Sequence, residues 1–82
     1  MKITYQPRWK EEFVGTRGEN RFVVQMTMGN PHVFFPKEST WNTNPPDWAS
    51  GLWNDAKTAA QQWCEENNVP FTIDDQAYVE FE

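Results

Sequence analysis

Apolar and polar residues alternate from the start of the chain. Ile3, Tyr5 and Pro7 fall on one side, and Lys2, Thr4 and Gln6 on the other. A period of two is that of a half-buried strand, so Lys2–Trp9 is predicted as β-structure. Pro7 has no N–H for a ladder, so this strand lies at an edge or ends there. A second strand is predicted over Glu12–Thr16. Thr16–Asn20 then reads as a hairpin turn, with Gly18 free to take a positive φ. The clearest alternation is Arg21–Met28, with Phe22, Val24, Met26 and Met28 on one face and Val23, Gln25 and Thr27 on the other. Gly29–Pro31 breaks it. His32–Phe35, closed by Pro36, is predicted as the next hairpin partner.

The period changes after a polar stretch, Lys37 to Pro46, which is predicted as a loop. Leu52, Ala56, Ala59 and Trp63 form one helical stripe, widened by Trp53, Ala60 and Cys64. The helix is predicted from Asp47 or Trp48 to Glu66 or Asn67. Asp47 is placed to cap its first turn, and its charge suits the positive end of the dipole. Asn67–Asn68 can take a left-handed end, and Pro70 forbids continuation. Val69–Ile73 then looks extended, Asp74–Gln76 is a turn, and Ala77, Val79 and Phe81 of the last stretch point inward. The reading is a single α+β domain over residues 1–82, a small mostly antiparallel β-sheet with one amphipathic helix packed on one face. Its order is roughly β-β-β-β-α-β, with an extra short strand at Phe71 left open.

Composition narrows the partners. A chain of 82 residues builds only a small core, and its 16 % aromatic content supplies large apolar areas for it. The net charge of −5 opposes binding to a phosphate backbone or an anionic membrane. The basic cluster Arg8, Lys10, Arg17 and Arg21 is interrupted by Glu11, Glu12 and Glu19, so a nucleic-acid partner is disfavoured. Cys64 is the lone cysteine, and the start of the chain has no apolar signal-like run. Both point to a reducing, cytoplasmic location with no membrane partner.

No catalytic constellation emerges. His32 has no orienting partner in sequence, and Cys64 lies beside Glu65 and Glu66 at a helix C-terminus, the reverse of a thiolate-stabilising setting. One Cys and one His do not make a usual zinc site. The carboxylate pairs Glu11–Glu12, Glu65–Glu66 and Asp74–Asp75 are neighbours that point apart. No enzyme activity, metal or cofactor is expected. Two features stand out. Acids gather at Glu65, Glu66, Glu80 and Glu82, and Phe34, Phe35, Trp41, Trp48 and Trp53 surround the long loop. These aromatics either close the end of the core or are partly exposed, and tryptophan is enriched among interface hot spots.

Short strands come first, then the tryptophan-containing turn FPKESTW, an amphipathic helix and the final strand VEFE. This order resembles the small acidic immunity proteins of bacterial toxin systems, over most of the chain. Phage-encoded inhibitors of bacterial enzymes are similar at this level. The resemblance implies a non-catalytic protein that occupies a partner protein. The acids make a basic partner the natural complement, with Trp41, Trp48, Glu65, Glu66 and Glu80 as the candidate binding residues. Two further classes stay open. One is a structural or accessory subunit of a larger assembly, phage or homo-oligomeric, paired through the edge strand near Ile3 and Tyr5. The other is an aromatic-surface binder of nucleic acid or a small ligand.

Overall fold

The computed structural model describes residues 2–82, in which six strands form one sheet. Strands β1 (Thr4–Arg8), β2 (Glu12–Arg17) and β3 (Asn20–Thr27) make an antiparallel meander. Strand β4 (His32–Pro36) pairs with β3 at Gln25–Thr27 and then leaves it. Strand β5 (Phe71–Asp74) joins the other side of β4 in parallel, and β6 (Val79–Phe81) takes the place beside β3 that β4 vacates, at Phe22–Val24. The fold is therefore α+β with a mostly antiparallel sheet. The extra strand at Phe71 is present, and it is the one parallel member.

Two short elements and one long helix separate β4 from β5. Helix α1 (Glu38–Trp41) stands inside the stretch predicted as loop, a 3-10 turn covers Asp47–Ala49, and α2 runs Trp53–Glu66. The long helix thus starts later than the sequence pattern placed it. Gly51 takes φ +78 and interrupts the helical path between the 3-10 turn and α2. Asp47 makes no side-chain capping bond. The residue at the N-cap of α2 is Leu52, which has none either. The predicted C-terminus holds: Asn68 takes φ 57, and the Val69 N–H donates to the Cys64 carbonyl at 2.9 Å.

Cross-strand partners share a face of the sheet. Phe13, Phe22, Val24, Met26, Val33 and Phe35 form the inner face, and α2 lies on it with Ala56, Ala60 and Cys64 fully inside the cluster. Ala59 and Trp63 are only partly buried, so the stripe is centred one residue round from the predicted one. Small residues at its centre let the helix approach the strands. Trp53 closes one flank, donating its indole N–H to the Pro36 carbonyl at 2.9 Å. On the opposite face Val14 and Val23 pair in register and are buried without a helix over them. Ion pairs join the strands on that side, with Glu82 meeting both Arg8 (3.1 Å) and Arg21 (3.7 Å).

Rings carry much of the core. Trp63 meets Phe13 edge-on at 4.8 Å, Phe13 stacks on Tyr5 at 4.6 Å, and Tyr5 meets Phe22 at 5.8 Å. Phe22 then meets Trp41 at 4.9 Å, and Trp41 meets Phe81 at 5.1 Å. Most of these contacts are edge-to-face, the arrangement the ring quadrupoles favour. Gly15 sits opposite Phe22 in the ladder, and its missing side chain makes room for that ring.

Candidate functional site

The residues singled out from sequence are dispersed. Trp41 is fully buried, and its indole N–H donates to the Ala49 carbonyl at 2.9 Å. It closes the core and presents no surface to a partner. Trp48 is partly buried, packed on Phe81 at 5.7 Å and Phe22 at 6.5 Å. Glu65 and Glu66 are exposed at the end of α2, on the inner-face side of the sheet. Glu80 lies between Val79 and Phe81, which point into the core, so its side chain projects from the other face. The acids therefore do not form one patch. Glu82 is occupied by Arg8 and Arg21.

The two chemically versatile side chains are tied into structure. His32 stacks on Phe34 at 4.2 Å, and its Nε2 lies 2.8 Å from the Thr72 hydroxyl on the neighbouring strand. Among the described residues no group of three or more His, Cys, Asp or Glu could hold a metal ion. Cys64 is buried, and burial pushes its thiol up to about 11 from an ordinary value of 9.0. The Tyr5 hydroxyl donates to the Ala56 carbonyl at 2.7 Å. Burial, and then the neighbouring Cys64, raise its pKa well above 10.0.

These shifts set a pH dependence. Both groups are neutral in the fold, whereas in the unfolded chain the thiol begins to ionise near its ordinary value. Stability is full below that value and falls as pH climbs from about 9 towards 11. A loss on the order of 2 kcal/mol between pH 8 and pH 11 is expected from the thiol. Urea midpoints at the two values measure it, and Cys64→Ala should flatten the slope. An equal slope in that variant would refute the assignment to Cys64.

Three surface features bear on a partner. The first is the tip of the β1–β2 hairpin, where Trp9 is 81 % exposed. Lys10 and Glu11 behind it both take positive φ, 74 and 65. Non-glycine residues in that region carry strain of order 1–3 kcal/mol each. The turn is held in this shape from both sides. The Met26 N–H donates to the Glu11 carbonyl at 3.1 Å, and Arg8 bonds Glu12 at 2.8 Å across the hairpin mouth. Sequence reading put Trp9 at the end of an alternating strand and passed over it. The available signal was Pro7 followed by the charged run Lys10–Glu12, too short a gap for anything but a tight turn.

The second feature is an open recess of about 500 Å³ lined by Asn44, Pro45, Pro46, Trp48, Phe81 and Glu82. The third is a groove of about 280 Å³ between β1 and α2, with Ile3, Tyr5, Ala59 and Trp63 along it and Glu66 at one end. No helix among the described residues is long and apolar enough to cross a membrane. A scan against protein-family models finds no match, and searches of curated proteins and of solved structures find none either.

Proposed function

We propose that this chain is a non-catalytic protein-binding module, most concretely a small acidic immunity protein or inhibitor that occupies a partner protein in the cytoplasm. The observation that carries this reading is Trp9, a large aromatic side chain 81 % exposed on a hairpin whose strained turn is braced by its neighbours. Rigid, exposed aromatics are the anchors of protein interfaces, because they bring area to the contact with little ordering cost. The recess offers a second aromatic, the partly buried Trp48, beside Pro45 and Pro46. The net charge of −5 and the exposed Glu65 and Glu66 favour a partner with a basic surface. A nucleic-acid partner is disfavoured further, since Arg8 and Arg21 are already engaged by carboxylates.

Photo-crosslinking in the native cell tests the reading. With p-benzoylphenylalanine in place of Lys10, one adduct of discrete mass is expected. It should vanish when Trp9→Ala is added, while thermal stability changes by no more than about 0.5 kcal/mol, as for an ordinary surface substitution. The same probe at Glu19, in the next turn, should give no adduct. A Lys10 adduct indifferent to Trp9→Ala, or no adduct at all, would count against Trp9 as the anchor.

A further inference from the structure

One wall of the groove between β1 and α2 is bare backbone. Strand β1 ends the sheet and pairs with β2 alone, so its outer side carries N–H and C=O groups without a strand partner. Ile3, Tyr5, Ala59 and Trp63 give the groove an apolar floor. Tyr5 lies beside the first half of α2, through its bond to the Ala56 carbonyl, and Lys2 and Ile3 share the groove with Trp63 and Glu66 nearer the helix C-terminus. That end is negative on balance, with Lys2 set against two carboxylates. It has Glu65 and Glu66 exposed, no basic residue in the last turn and the negative end of the helix dipole.

We propose that this groove takes an extended segment of a partner protein as an additional antiparallel strand on β1, with apolar side chains on the groove floor and a basic side chain at its C-terminal end. Each part of the description follows from a feature of the site. A free strand edge is matched by extended backbone, and side chains two apart then enter the same groove. The floor beside Tyr5 and Ile3 selects apolar groups at two such positions. An antiparallel addition to β1 runs along α2 towards Glu66, so the third groove-facing position meets the carboxylates and the helix end. Pro7 offers no N–H, which limits the added ladder to a short segment over residues 3–6. The inference rests on the reading of the chain as a protein-binding module, and is independent of the Trp9 anchor.

The probe is the hexapeptide acetyl-Thr-Val-Thr-Ile-Ser-Arg amide, titrated into the ¹⁵N-labelled full chain. Saturable movement is expected in the amide signals of Ile3 to Gln6 and of Ala59 to Glu66, and in the Trp63 indole signal. Replacing the peptide arginine by glutamate, or Glu66→Lys in the protein, should each weaken binding by about fivefold, the upper range for an exposed ion pair. N-methylation of the peptide backbone at the residues facing β1 should abolish binding. Trp9→Ala protein should bind the peptide unchanged, so loss of the Lys10 cross-link and loss of peptide binding are separate results. The proposal is overturned if no signals move at millimolar peptide, or if they move at β5 or at the hairpin tip instead. It is also overturned if the N-methylated peptide binds equally, or if light scattering shows the unliganded chain already paired with a second copy through β1.

Discussion

Trp41→Ala is expected to bring the domain to the verge of unfolding at 25 °C. The side chain is fully buried and touches Phe22, Phe35 and Phe81 with ring centroids 4.9, 6.1 and 5.1 Å away. Deleting a buried tryptophan costs about 3–5 kcal/mol in lost transfer and cavity formation. The loss also strands the Ala49 carbonyl, which accepts the indole N–H in a site closed to water. An orphaned buried acceptor adds about 1–3 kcal/mol. Against a total stability of about 5–15 kcal/mol, generally at the low end for small domains, that is most of what is available. Urea unfolding followed by circular dichroism measures it. Trp41→Phe separates the two contributions, because it keeps much of the ring packing and forfeits the hydrogen bond. An unchanged midpoint in Trp41→Ala would sink the assignment of Trp41 to the core.

Gly15→Ala is expected to be the most damaging small substitution in the sheet. A Cβ at this position would lie 2.6 and 2.7 Å from Cε1 and Cε2 of Phe22. The ring cannot retreat, since it is fully buried and held by Tyr5, Trp41 and Trp48. Overpacking of this kind costs about 1–3 kcal/mol, and the rigid surroundings put this case at about 3. Its signature is coupling. Phe22→Leu should be destabilising alone, yet in its presence Gly15→Ala should lose much of its effect. A double-mutant cycle with strictly additive effects would show that the glycine does not serve the ring.

The sheet was readable because a two-residue period survives without knowledge of partners. Phe22, Val24 and Met26 declare the inner side of one strand, and Ala77, Val79 and Phe81 that of another, and pairing puts Val79 and Phe81 on the same face as Val24 and Phe22. Pairing order was less legible. That β6 inserts beside β3 while β5 runs parallel to β4 depends on where β4 veers away at Phe35 and Pro36, a tertiary choice. The start of α2 was misplaced for a local reason. Asp47 after two prolines has the look of a cap, but Gly51 turns left-handed and uncouples that turn from the helix. The candidate site was the least legible. A tryptophan in a polar stretch has no period to say which way it faces, so Trp41 and Trp48 looked alike although one is sealed and the other partly open. Glu65, Glu66 and Glu80 looked like one patch because sequence does not state on which side of a sheet a residue emerges. Trp9 was hidden because it closes the alternating segment Lys2–Trp9, whose strand in fact ends at Arg8.

The division of β3 between partners gives the molecule a built-in seam. Half of one side of β3 is closed by β6, a strand of three residues anchored by Val79 and Phe81. Should β6 lift, the backbone of Phe22, Val23 and Val24 becomes a bare slot in the middle of the sheet, flanked by some of its most hydrophobic positions. Such a slot accepts any β-prone segment that fits, including β6 of another copy. Exchange of that strand between copies under mildly denaturing conditions is a direct road from this fold to domain-swapped oligomers, and because Phe81 lines the Trp48 recess, lifting β6 takes that recess apart as well.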